Sequence, residues 1–205
     1  MKLVQAMLAA TIGTLAITSA APAVTVATFA DPAAGPATPL FAFNAGTGVL
    51  TGGWVGQPNL LLQTPGLPLI PDFANAQFTM SPISATGAPT FGIYPMGGGS
   101  INFFDSTNAP LLTITFSNAT LLSLGFGASD FRSNNVTFTG PIMGGFVVSN
   151  EAFSFSFANP ATASPSGSYT VTSSFTSSAD LSPIPAPASA ALLGLGGLVA
   201  LRRRR

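Results

Sequence analysis

The chain of 205 residues contains no cysteine and no histidine, and only 6% of its residues are charged. Without cysteine it can form no disulfide, no thiolate nucleophile and no zinc site built on sulfur. Without histidine it lacks the usual general base, the Ser-His-Asp triad and the commonest metal ligand. The sequence therefore predicts a protein that is not an enzyme and that needs no cofactor.

Basic residues are nearly absent from the central part of the chain. Lys2 and Arg202 to Arg205 lie at the two ends, and Arg132 is the one internal basic residue. The body between the ends has one basic and six acidic side chains, so its net charge is −5. Such a surface cannot neutralise a run of phosphates, which excludes a nucleic-acid partner.

Residues 1–23 have the pattern of a secretory signal peptide. Lys2 gives a positive start, Leu3 to Ile17 form an apolar run that we expect to be helical, and small residues follow. Cleavage after Ala20 and cleavage after Ala23 both fit the small-x-small preference, and signal peptidase is the expected partner. The apolar run is shorter than the ~20 residues that a membrane span needs.

Residues 24–180 are dense in glycine, proline and asparagine, and the intervals between these turn formers are too short for helices of normal length. Several intervals alternate between apolar and polar residues, most clearly Phe153-Ser154-Phe155-Ser156-Phe157. This period of two is typical of strands with one buried face. About ten such segments predict one all-β domain, an antiparallel β-sandwich or jelly-roll-like fold.

The connections between these strands are predicted from their turn residues. Asp105 to Asn108 read as a hairpin turn, because Asp and Asn bond their own backbone. The proline-rich stretches Ala30 to Pro39 and Gln57 to Pro71 are expected to be surface connections. Gly97 to Ser100 lack the lysine of a phosphate loop and are expected to be a flexible loop.

The composition changes after Asp180. Residues 181–187 contain three alternate prolines, Pro183, Pro185 and Pro187, which enforce an extended spacer. Residues 188–205 are an apolar run that ends in Arg202, Arg203, Arg204 and Arg205. As a helix, residues 188–201 measure about 21 Å, against a hydrocarbon core of about 30 Å.

The insertion energy of this run is correspondingly small. Its six large aliphatic residues together contribute about −3 kcal/mol. They are Leu192, Leu193, Leu195, Leu198, Val199 and Leu201. The run therefore predicts a short C-terminal helix that is held in the inner membrane only transiently, with the arginines as a basic stop.

This order resembles the PEP-CTERM sorting signal of exported proteins of Gram-negative bacteria. The sorting motif corresponds to Pro185, Ala186 and Pro187, with Ala186 where the family usually has glutamate. The resemblance implies recognition by an exosortase, a membrane-embedded transpeptidase that removes the tail. It further implies delivery to the cell surface or to extracellular polysaccharide, and it covers about 20 residues of the chain.

Other functions of the body stay open at this point. A carbohydrate-binding or adhesive module could stack a sugar on Trp54, the single tryptophan, with help from calcium at Asp105, Asn108 and Asp130. A glycosidase needs two carboxylates in one cleft, for which the candidates are Asp72, Asp105, Asp130 and Glu151. Arg132 is expected to pair with Asp130 two residues before it.

Overall fold

The computed structural model describes residues 23–123 and 129–184. Strands dominate this part of the chain, and its one helical element is a 3₁₀ turn at Pro141–Met143. The strands are β1 Ala23–Phe29, β2 Phe41–Asn44, β3 Val49–Trp54, β4 Gln77–Met80, β5 Ile83–Ser84, β6 Ile93–Phe104, β7 Pro110–Ser123, β8 Ser129–Ser133, β9 Val136–Thr139, β10 Phe146–Ala163 and β11 Ser168–Pro183. The prediction of an all-β domain is confirmed.

The strands form one antiparallel sheet that closes on itself. Eight of them follow one another around the ring in the order β11, β10, β8, β7, β6, β4, β3 and β2, and β2 pairs with β11 again. The remaining three pair at the side of this ring, β1 with β11, β5 with β3 and β9 with β7. Two separate stacked sheets, the β-sandwich or jelly roll that we predicted, are not confirmed.

The sheet closes into a ring because β11 is long enough to pair with two strands along one edge. One edge of this strand pairs with β10, and its other edge is shared between β2 at residues 169–171 and β1 at residues 175–180. The strand therefore joins both ends of the sheet. Alternation in the sequence shows which side chains face inward, but not which strands are neighbours.

The alternating residues take the faces that the pattern predicts. Phe153, Phe155 and Phe157 are buried, whereas Ser154 and Ser156 between them face outward. The buried phenylalanines stack on one another, with Phe155 and Phe175 at a ring-centroid distance of 4.7 Å. The centre of the closed sheet is therefore filled by aromatic rings.

One predicted surface connection has a structural role that the sequence did not show. The stretch Gln57 to Pro71 buries Leu60, Leu62 and Leu67 completely in the core. Its backbone also bonds the free edge of β1, since Gln63 and Thr28 exchange two hydrogen bonds of 2.8 and 2.9 Å. This loop therefore covers the strand edge that closure of the ring leaves open.

The prediction of a flexible loop at Gly97 to Ser100 is wrong. These residues lie inside β6 and pair with β7, Gly97 opposite Asn118 and Gly99 opposite Phe116. A Cβ atom on Gly98 would lie 2.6 Å from the Phe116 carbonyl oxygen. Glycine is needed here because the two backbones approach too closely for a side chain.

Candidate functional site

The residues that the sequence singles out for sorting lie outside the described part of the chain. This holds for Ala20, Pro185, Ala186, Pro187, the apolar residues from Leu192 to Leu201 and the four arginines. Ala23 is described and is the first residue of β1, where it pairs with Asp180. Residues 23–123 and 129–184 form no helix with the length and apolar character that a bilayer crossing requires.

Trp54 is buried and cannot stack on a sugar in this structure. Its side chain is 4% exposed, and its indole Nε1–H donates to the Pro58 carbonyl oxygen at 3.2 Å. The ring is thus part of the core, with its one polar atom satisfied by the neighbouring loop. The carbohydrate-binding hypothesis loses the aromatic residue on which it depended.

Four of the six acidic side chains of the body accept hydrogen bonds within it. Asp31 accepts a hydrogen bond from the Ala33 amide, Asp72 from the Thr64 amide, and Asp180 from the Asn150 side chain. Asp105 accepts from the Thr107 amide and hydroxyl and from the Ala109 amide. The Thr107 hydroxyl and these amides hold the pKa of Asp105 below its usual value, as expected of a turn carboxylate.

The residues proposed to bind calcium do not come together. Asp105 lies in the turn before β7, whereas Asp130 on β8 pairs with Leu122 near the far end of β7. Twelve strand residues separate these positions, about 40 Å along the strand. Within the described ranges, no three acidic residues lie close enough to hold a metal ion.

Tyr169 is a partly buried titratable group on β11. It packs against Phe43, with ring centroids 5.4 Å apart. Burial raises the pKa of Tyr169, and the Ser123 side chain opposes this only in part. The phenol therefore stays neutral at physiological pH, and we assign it no role in proton transfer.

A groove of about 530 Å³ lies on the outer face of β7, β8, β10 and β11. Four outward side chains stand next to one another across it, because Thr120 pairs with Arg132, Arg132 with Ser154, and Ser154 with Thr176. We call these four residues the outer polar row. Neighbouring strands are about 4.8 Å apart, so the row spans about 14 Å.

Further polar residues border the outer polar row. Asn118, Asn134 and Ser178 also line the groove. The groove floor is held in place by Ser133, whose hydroxyl donates to the Asn118 carbonyl oxygen at 2.7 Å and accepts from the Asn135 amide at 3.1 Å. Asn134 lies in the turn after β8, and the other residues of the groove lie on strands.

Arg132 is the only cation of the body, and it lies within the outer polar row. Its side chain is 62% exposed, and its Nη1 lies 3.5 Å from the Asp130 Oδ2, so the predicted ion pair is confirmed. That distance is longer than the ~2.7–2.9 Å of a charge-assisted hydrogen bond. Because a guanidinium has five N–H donors, most of them remain available to a ligand.

Sequence reasoning missed the groove. The residues of the outer polar row come from four strands, and nothing in the sequence reveals that they are neighbours before the register is known. The one signal was Arg132, which is the only basic residue in a body of net charge −5. Comparisons with protein-family models, with curated proteins and with solved structures give no match.

Proposed function

We propose that the protein is an exported, non-enzymatic protein of the cell surface or extracellular matrix, sorted and processed through its C-terminal segment. One observation carries this proposal. Directly after the last strand, the chain continues with a proline-spaced segment, a short apolar run and four arginines. This order resembles the PEP-CTERM sorting signal, and the resemblance implies that an exosortase removes the segment.

The body supports the same proposal. Its interior is filled by phenylalanine rings, and four of its six acidic side chains accept hydrogen bonds within the body. Ala23 at the start of β1 pairs with Asp180 near the end of β11, so the segments before and after the body leave from the same end of the sheet. Both terminal segments can therefore face one membrane while the body folds outside it.

Fractionation with mass spectrometry tests the proposal. The protein is produced in a Gram-negative host with an exosortase, and the material outside the inner membrane is analysed as intact mass. We expect loss of residues 1–20 or 1–23, according to whether cleavage follows Ala20 or Ala23, and loss of the four arginines. Protein outside the inner membrane that still carries Arg202 to Arg205 would contradict the processing step.

A matched host without the exosortase is the control. In this host we expect the unprocessed chain in the inner-membrane fraction. Equal release in both hosts would show that no exosortase is involved. Replacement of Pro185 and Pro187 by alanine should reproduce the effect of the missing enzyme.

A second candidate function is carbohydrate binding, and the outer groove favours it. Polar side chains in a groove on the outer face of the sheet can contact several hydroxyl groups of a sugar chain at once. Since Trp54 is buried and the proposed calcium ligands are far apart, this candidate now rests on the groove.

A further inference from the structure

Three hydroxyls of the outer polar row have no hydrogen-bond partner within the described part of the body. Some other hydroxyls on the sheet are engaged, such as Thr28 with the Phe175 carbonyl oxygen at 2.6 Å and Ser177 with Ala27. In contrast, the side chains of Thr120, Ser154 and Thr176 make no hydrogen bond to any described residue. Their donors and acceptors are therefore available to a ligand.

The groove contains the one guanidinium of the body, with the Asp130 carboxylate 3.5 Å from its Nη1. Arg132 supplies a positive centre on a body with six acidic groups. Its guanidinium can bind a carboxylate or sulfate through two parallel hydrogen bonds, which a lysine cannot do. Asp130 offsets part of this positive charge, but Arg132 is 62% exposed and its remaining N–H donors can still reach an anionic group.

We infer that the outer polar row binds an acidic polysaccharide, with Arg132 on an acidic group and the hydroxyls of Thr120, Ser154 and Thr176 on the sugar hydroxyls. The row runs across the strands at a repeat of about 4.8 Å, so it offers polar contacts at regular intervals over about 14 Å. An extended polymer with repeated hydroxyls matches such a row. This inference deepens the second candidate function and is independent of how the protein is processed.

Other polymers fit the groove less well. A nucleic acid needs several cations, whereas the groove has one. A peptide strand binds at the edge of a sheet through its backbone, whereas the outer polar row lies on the face of four paired strands.

Binding is measured by isothermal titration calorimetry with the full chain in a mild detergent. The probes are polygalacturonate, which carries carboxylates, dextran sulfate, neutral dextran and polyglutamate. We expect binding of polygalacturonate or dextran sulfate. The polymer with the lower Kd shows whether the groove prefers a carboxylate or a sulfate. We expect neutral dextran and polyglutamate to bind at least tenfold more weakly.

The variants assign the binding to the groove. Arg132→Gln should weaken binding of the acidic polymer about tenfold or more, and Arg132→Lys should restore it only in part. Thr176→Val should weaken it about two- to tenfold. The matched control is Thr79→Val, since Thr79 is an equally exposed threonine on β4, outside the groove.

Several outcomes would overturn the inference. These are an absence of binding to both acidic polysaccharides, equal binding of polyglutamate, and unchanged affinity in Arg132→Gln. Circular dichroism verifies that each variant is folded, which we expect because Arg132 and Thr176 are exposed. A chain that is exported and processed but fails to bind would leave the proposed export intact and remove this inference alone.

Discussion

Phenylalanine side chains provide the core of a body that has no disulfides. Phe155 is fully buried, and its ring lies within 6.4 Å of six other phenylalanine rings, measured between centroids. Tilted and edge-to-face contacts of this kind each add about 0.5–1.5 kcal/mol beyond the burial of area. Stability thus depends on residues that alternate with serine along the same strand.

Replacement of Phe155 by a small residue should therefore strongly destabilise the fold. We expect Phe155→Ala to lower the free energy of unfolding by about 3–5 kcal/mol, because it leaves a cavity at the centre of the closed sheet. Phe91→Ala is the control, since Phe91 is 92% exposed and its loss should change stability by less than about 0.5 kcal/mol. Urea denaturation measures the free energy of unfolding of both variants. An equal loss in the two variants would contradict the assignment of Phe155 to the core.

Phe91 itself occupies an unfavourable backbone conformation. It lies with Gly92 in a two-residue turn between Thr90 and Ile93, which exchange two hydrogen bonds of 3.0 Å. Both turn residues have positive φ, +50° for Phe91 and +77° for Gly92. Such turns favour Asn-Gly, because asparagine tolerates the left-handed region that costs other residues about 1–2 kcal/mol.

Phe91→Asn should consequently stabilise the protein. We expect a gain of about 1 kcal/mol, seen as a rise in Tm of about 2–4 °C in a thermal melt followed by circular dichroism. Phe91→Val is the informative comparison, since a β-branched residue fits this conformation poorly and should lower Tm. A decrease in Tm with Phe91→Asn would show that the aromatic ring stabilises the turn.

At the scale of elements, β6 and β7 form a long hairpin whose backbones approach closely at Gly98. We expect Gly98→Ala to destabilise the fold by about 1–3 kcal/mol, because the new methyl group would meet carbonyl oxygens of Phe116 and Ser117 at 2.6 and 2.9 Å. Gly35→Ala is the control, since a Cβ there meets no atom within 4 Å. Equal Tm values for the two variants would contradict the pairing of β6 with β7.

The turn of the same hairpin predicts a pH dependence. The pKa of Asp105 is lowered in the folded state, so the unfolded state binds more protons and the carboxylate stabilises the fold above its unfolded pKa of about 3.9. This contribution is lost as the pH falls through the folded pKa. Asp105→Asn should lower Tm at pH 7, and the difference from the wild-type Tm should shrink below about pH 4.

Thermal melts between pH 2 and pH 7 measure this difference. A difference in Tm that stays constant down to pH 2 would show that the charge of Asp105 does not contribute. Thr107→Val is a second variant of the same turn, because it removes the hydroxyl that lowers the pKa of Asp105 most. It should reduce the pH dependence while leaving the carboxylate in place.

At the scale of the whole molecule, closure of the sheet depends on β11 and not on the tail that follows it. Removal of residues 185–205 should change Tm by less than about 2 °C, because the last described contacts are Pro183 opposite Phe146 and a bond from the Ile184 amide to Gly145. Truncation after Ser174 should abolish cooperative unfolding, since it removes the partners of β1. A large loss of Tm on removal of 185–205 would indicate a tail that packs on the body.

The all-β class, the inward and outward faces of the strands and the turn at Asp105 to Asn108 were predictable from the sequence alone. These features are local, because alternation and turn chemistry act between residues that are close in the chain. The phenylalanine-serine alternation from 153 to 157 is the clearest example. The order of the terminal segments is equally a property of the sequence, and the proposed sorting depends on it.

The closure of the sheet and the position of the groove can be seen only in the tertiary structure. Thr25 and Ser178 pair across more than 150 residues, and Arg132 meets Thr120 and Ser154 through two different strands. Such pairs depend on register and on strand order, which local patterns do not encode. Burial of Trp54 and of the leucines in the 57–71 loop likewise depends on tertiary contacts. An apolar residue among glycines or prolines can lie in a core or on a surface, and the local sequence does not distinguish the two.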